Sequence, residues 1–170
     1  AALLVILLGI VTGTFAGLIR ILLNIPSFIV TLAMLTAYRS LALIVSNERP
    51  MSMSAEGPFF QFTGGAIYHI PWLIVWMLVV MAIGGIVLKY TRYGSHVYAT
   101  GGNLQAARDS GINTNRVKLI AFATTGGLVG LASVLLFGYL HVAESTSGTG
   151  FEFRVIGAVI VGGTALTGGL

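Results

Sequence analysis

Acid–base or metal chemistry in this 170-residue sequence would have to come from three histidines and five acidic residues, because it contains no cysteine. That absence removes thiolate nucleophiles, thiolate metal sites and disulfides. His141-x-x-Glu144 has an i, i+3 spacing that a metal could use, but it is a lone pair in a polar stretch. Ordinary solvated residues are far commoner than ligands in such a setting. His69 and His96 have no candidate partner near them in sequence. Intramembrane catalysis would need paired acids or a Ser–His arrangement, and no acid falls within an apolar stretch. A Gly-x-x-x-x-Gly-Lys-[Ser/Thr] phosphate loop is also missing, so any use of ATP must come from a partner. These residue types argue against an enzyme and against a metal or cofactor held by this chain.

The spacing that does imply a built element is Gly101-Gly102-Asn103-Leu104-Gln105-Ala106-Ala107-Arg108-Asp109-Ser110-Gly111-Ile112. Asn103 is a good N-cap, Leu104 to Ser110 favour helix, and Gly111 is placed to stop it. A helix of about two turns between glycine hinges is expected, too short to be stable alone. It must be pinned by something it packs against. Ala106 and Ala107 offer a small, flat surface suited to a groove on another protein. The competing reading, a helix lying on the membrane, would want a stronger apolar face than this one has.

Stepping outward, the chain is 56% hydrophobic and 8% charged, against roughly a quarter charged in soluble domains. Such a chain cannot dress a water-facing surface. Crossing a hydrocarbon core of about 30 Å takes roughly 20 apolar helical residues. Five stretches qualify wholly or partly: Ala1 to Leu23, Pro26 to Val45, Ile70 to Leu88, Leu119 to Leu140, and a fifth from Val155 that is cut at Leu170. The expected fold is therefore an all-α, polytopic transmembrane helical bundle, incomplete, with about four full spans and a truncated fifth. Asn24-Ile25-Pro26 predicts a very tight hairpin between the first two spans. One long, Pro-kinked helix is the competing reading.

The net charge of +4 is distributed by loop. Residues 89–118 carry Lys89, Arg92, Arg108, Arg116 and Lys118 against Asp109. Residues 46–69 carry Glu48 and Glu56 against Arg49, and residues 141–154 carry Glu144 and Glu152 against Arg154. Cytoplasmic loops collect Lys and Arg, so 89–118 is expected inside and the other two outside. Arg20, beside the hairpin, obeys the same alternation. The basic excess is thus a topology signal, with no nucleic-acid recognition motif beside it.

Arg39 is the charge left inside a span, about six residues or roughly 9 Å from the outer end. Snorkelling to the outer interface is favoured over lining a pathway. Phe59, Phe60, Phe62, Tyr68, Trp72 and Trp76 gather at the outer start of the third span, as an interfacial aromatic belt would, rather than a sugar-stacking platform. Gly9, Gly13 and Gly17 on the first span, and Gly126 and Gly130 on the fourth, form stripes that admit a close helix neighbour. Thr12, Thr14, Thr124, Thr125 and Ser133 are read as packing residues more than as path-lining ones.

Gln105-Ala106-Ala107-x-x-x-Gly111 resembles the Glu-Ala-Ala-x-x-x-Gly loop of ABC importer permeases, with Gln where those have Glu. Gly101-Gly102-Asn103-x-x-Ala106-Ala107-x-x-Ser110-Gly111-Ile112 is similar to the form found in ribose-type sugar permeases, which share one family with branched-chain amino acid permeases. Ile25-Pro26-Ser27-Phe28-Ile29-Val30-Thr31-Leu32 and the stretch from Glu152 through Gly162-Gly163-Thr164 to Gly169 match the same branch. The resemblance covers the middle of such a subunit, so residues 1–170 are expected to be part of one transmembrane permease domain with a cytoplasmic coupling loop at 89–118.

The resemblance implies a bacterial inner-membrane permease that imports a sugar. Gly101 to Arg108 with Ser110, Gly111 and Ile112 would dock on a separate ABC ATP-binding subunit, which uses ATP and Mg²⁺. An extracytoplasmic sugar-binding protein would deliver substrate, and a second permease subunit, as a homodimer, would complete the path. Asn24, Pro26, Ser27, Thr31, Arg39, Gly162, Gly163 and Thr164 are the pathway or gating candidates. A chain with these boundaries is expected not to transport alone. The rival function is a secondary transporter or channel uncoupled from ATP, although a carrier would want intramembrane carboxylates and a channel would not need the capped inner helix.

Overall fold

The computed structural model describes residues 1–47, 49–52, 57–67 and 70–163. Glu48, Glu56, Tyr68, His69 and Thr164, all read from sequence above, lie outside the described residues. Among the described residues, four helices are long and apolar enough to cross a membrane: α1 (Ala2–Leu23), α2 (Ser27–Ser46), α4 (Trp72–Tyr90) and α7 (Thr114–Leu140). Short helices α3 (Pro58–Gly64), α5 (Arg92–Gly102), α6 (Leu104–Asp109) and α8 (Phe151–Val161) complete the helical set among the described residues. Two-residue strands β1 (Met51–Ser52) and β4 (Val142–Ala143) pair with each other, as do β2 (Ala66–Ile67) and β3 (Ile70–Pro71). The architecture is an all-α membrane bundle. At most 11% of the best apolar window of any of the four long helices is buried within the chain. Leu3, Ile44, Val45 and Met81 are instead exposed, which only a lipid surround tolerates.

The chain divides into two compact units, residues 1–80 with 118–145, and residues 81–117 with 146–170. In the first, α1 and α2 form the expected hairpin. Asn24 ends α1 in the left-handed region at φ 51°, which Asn tolerates better than most residues. Pro26 then caps α2, its ring fixing φ (here −53°), with ψ extended at 135° and no N–H to leave unpaired. The kinked-helix alternative is therefore replaced by a true break.

The two glycine stripes meet each other. A Cβ at Gly9 would run into the carbonyl oxygen of Gly126, and one at Gly13 would come within 3.0 Å of the Gly126 Cα. One at Gly130 would stand 2.8 Å from the Cα of Ile6. Positions rising along α1 meet positions falling along α7, so the helices are antiparallel, as the loop charges require. Without a hydrophobic drive inside lipid, this backbone proximity supplies the packing that holds them.

At the far end of the hairpin the segments after α2 and after α7 are tied together. Ser46 Oγ donates to Ser145 Oγ at 3.2 Å, and Met51 and Ser52 pair with Ala143 and Val142. Helix α3, which the sequence reading leaves as loop, lies against α7 where Gly64 approaches the Gly138 carbonyl. The Phe60 ring stands 5.1 Å from the ring of His141 and 6.3 Å from that of Phe137. Trp76 Nε1 donates to the Phe62 carbonyl at 3.3 Å.

In the second unit, α8 begins four residues before the expected Val155, capped by Gly150 at φ 81°. Glu152 in its first turn faces the positive end of the helix dipole. The sequence reading counted Glu152 and Arg154 as loop because charge ended the apolar run; here the charged turn is helical.

Candidate functional site: a capped loop helix and a membrane cleft

The expected short helix forms as α6, and its ends are closed by specific hydrogen bonds. Asn103 Oδ1 accepts from the backbone N–H groups of Gln105 and Ala106, each at 3.0 Å. At the other end Gly111 adopts φ 80°. Its N–H donates to the Arg108 carbonyl at 2.9 Å, and the Ile112 N–H donates to the Ala107 carbonyl at 3.0 Å. That pair of bonds is a Schellman stop, and it needs the left-handed residue that only glycine supplies without strain. Ser110 Oγ donates to the Ala106 carbonyl at 2.8 Å.

What pins α6 is now visible. Ala107 is only 3% exposed, while Leu104, Gln105, Ala106 and Arg108 are exposed. The two alanines read as one surface thus separate: Ala107 packs inward and Ala106 faces out. Arg108 Nε donates to Thr114 Oγ1 at 3.2 Å, and Thr114 is itself 3% exposed. Asn113 then caps α7, its Oδ1 accepting from the Arg116 N–H at 3.1 Å.

Gln105 Nε2 donates to Asp109 Oδ1 at 3.2 Å, one turn along the helix. A glutamate at position 105 would place two like charges at this i, i+4 spacing, which is destabilising. The departure from the Glu-Ala-Ala pattern therefore has a local physical partner in Asp109.

Helix α5 is the element that sequence reasoning missed. Thr91 caps it, its Oγ1 accepting from the Gly94 N–H at 3.2 Å. Gly94 presses on the Leu88 carbonyl so closely that a Cβ has no room. Gly101 and Gly102, expected as a free hinge, are the last turn of α5. Thr91 followed by an apolar spacing at Tyr93 and Val97 was the available signal. Burial pushes the Tyr93 phenol above its ordinary range.

Of the pathway candidates, Thr31 lines a cleft of about 400 Å³ among α1, α2 and α7, with Thr12, Tyr38, Phe122 and Thr125. Its threonine hydroxyls are committed to their own helices: Thr12 Oγ1 donates to the Gly9 carbonyl at 3.0 Å and Thr125 Oγ1 to that of Ala121 at 2.8 Å. Asn24, Pro26 and Ser27 make the hairpin turn and first turn of α2 instead, and Arg39 is partly exposed elsewhere on α2. Gly162 closes α8, with Gly163 beyond it at φ 84°, in the second unit.

Compared with known proteins, the chain is 36% identical over 168 residues to the ribose import permease protein RbsC of Haemophilus influenzae, covering 97% of this chain and 52% of that protein. It is 38% identical over 143 residues to RbsC of Bacillus subtilis, covering 84% and 44%. The L-arabinose ABC transporter permease protein AraH of Azospirillum brasilense is 36% identical over 166 residues, covering 95% and 49%. The chain spans about half the length of these curated relatives. No solved structure matches it. The family described as branched-chain amino acid transport system / permease component matches residues 1–170 from end to end. With its four spans, its antiparallel glycine seam and its capped loop helix, the chain belongs to that permease family.

Proposed function

We propose that this chain forms the central part of the permease subunit of an ATP-driven, binding-protein-dependent sugar importer in the bacterial inner membrane. The observation that carries the reading is α6: a six-residue helix, capped at both ends and pinned by Ala107, that still presents Leu104, Gln105, Ala106 and Arg108 outward. A helix this short is rigid only through such anchoring, and a rigid, exposed face with Ala106 within it suits a groove on an ATP-binding subunit. ATP and Mg²⁺ belong to that subunit. The basic residues of 89–118 put α6 on the cytoplasmic side, and the region of α3 and β4 faces the binding protein. A second permease subunit completes the path.

The sugar class comes from the relatives, whose names specify ribose import and an L-arabinose transporter. The cleft chemistry is compatible with it. Thr12, Thr31 and Thr125 each spend their proton on a backbone carbonyl. They therefore show a passing polyol acceptor lone pairs and methyl groups.

The test uses the full-length permease with its ATPase. Ala106→Glu puts bulk and charge on the outward face without touching the packed one. It is expected to abolish co-purification and substrate-stimulated ATP hydrolysis, with α6 amide protection retained. Undiminished coupling in that variant would refute the docking role.

A further inference from the structure

A second cleft, of about 470 Å³, opens between the last turns of α4 and helix α5, lined by Gly85, Leu88, Lys89, Ser95 and Tyr98. Its character changes along α4. Gly85 and Leu88 lie on the span side and are apolar, whereas Lys89, Ser95 and Tyr98 come at and beyond the span's end. A Cβ at Gly84 or Gly85 would meet nothing within 4 Å, so a bare strip of helix backbone leads into the bilayer. Lys89 is exposed, with its ammonium 5.6 Å from the centre of the Tyr90 ring. Ser95 Oγ donates to the Arg92 carbonyl at 2.8 Å and can be redirected by rotating one bond. The Tyr98 side chain is 52% exposed and supplies a second hydroxyl.

The cleft is therefore amphipathic in the direction that the bilayer is. A cation and two hydroxyls stand at headgroup depth, above a smooth apolar groove at acyl depth. The surrounding loop adds Arg92, Arg108 and Arg116 against Asp109, so the field there favours an anion. Basic pockets where spans leave the membrane attract acidic headgroups, at about a fivefold gain in affinity per basic residue.

We propose that this cleft is a binding site for an anionic phospholipid, its phosphate on Lys89 and Tyr98 and one acyl chain along Gly84 and Gly85. This goes beyond the transport reading and holds whatever the substrate is. The orientation of the 89–118 loop decides only which leaflet supplies the lipid.

The experiment reconstitutes the full-length permease in nanodiscs of phosphatidylcholine mixed with phosphatidylglycerol. After transfer to detergent, native mass spectrometry counts the lipid retained, with and without inorganic phosphate. Phosphatidylglycerol should be retained over phosphatidylcholine, roughly fivefold less by Lys89→Gln and again fully by Lys89→Arg. Gly85→Leu puts a side chain into the groove at a position where a Cβ meets nothing within 4 Å and should expel the lipid while helicity is unchanged. It decides the matter if Lys89→Gln fails to fold. Equal retention of the two lipids, or retention unchanged in Gly85→Leu, overturns the site. Displacement by inorganic phosphate alone would show a free-anion site and overturn the lipid assignment.

Discussion

Position 105 shows how one atom type can follow from a neighbour. The Gln105 amide donates to Asp109, and Gln105→Glu would replace that bond by repulsion across one helical turn. The expected loss is about 0.5 kcal/mol of α6 stability at neutral pH, read as faster amide exchange at Ala106 and Ala107. Thr100 offers the opposite case. Its buried hydroxyl finds no hydrogen-bond partner among the described residues, and an orphaned buried group costs roughly 1–3 kcal/mol. Thr100→Val keeps the shape and removes the orphan, so α5 should gain about 1 kcal/mol in amide protection. The Gln105–Asp109 bond lies within the helix expected over Leu104–Ser110, so its i, i+4 spacing was legible in the sequence. The orphaned hydroxyl of Thr100 was not, because it depends on the packing of α5.

Among the elements, legibility followed how local the causes were. The hairpin at Asn24 and Pro26, and α6 between Asn103 and Gly111, are decided within a few residues, and both formed as the residue types dictate. Helix α6 can be loosened from either end. Asn103→Ala is expected to cost about 1 kcal/mol, and Gly111→Ala roughly 1–2 kcal/mol because an alanine at φ 80° is strained. Both should reduce ATPase coupling through order and not through lost contact, distinguishing them from Ala106→Glu. Ala107 would now be a poor probe of docking, since enlarging it disturbs packing first. Helix α3 was illegible for the opposite reason, whereas α5 carried a local signal in its Thr91 cap. Seven residues of α3 hold their form against Gly138 and Phe137 on another helix, so no periodicity of their own announces them.

For the whole molecule, the bundle and the candidate orientation followed from composition and loop charge, which act over tens of residues and need no contact map. The pairing of α1 with α7 did not, because a glycine stripe declares a close neighbour without naming it. Orientation is directly testable, since these 170 residues have no cysteine and one introduced among them is a unique thiol within this stretch. Ser110→Cys should react with an impermeant maleimide only from the cytoplasmic side, and Ser145→Cys only from outside. Labelling of both from one side would invert or refute the arrangement.

The seam between Gly9 and Gly126 also sets an order of events during synthesis. Helix α1 is made before α7, and the surface it fits arrives more than a hundred residues later. At ribosomal speeds of about 5–20 residues per second, that is a wait on the order of ten seconds. For that interval the glycine stripe of α1 lacks the α7 backbone that it packs against. Assembly of this protein is thus a delayed docking. A side chain at Gly126 large enough to block the seam should leave insertion of α1 and α2 intact and stall the chain afterwards, as a membrane-embedded but protease-sensitive intermediate.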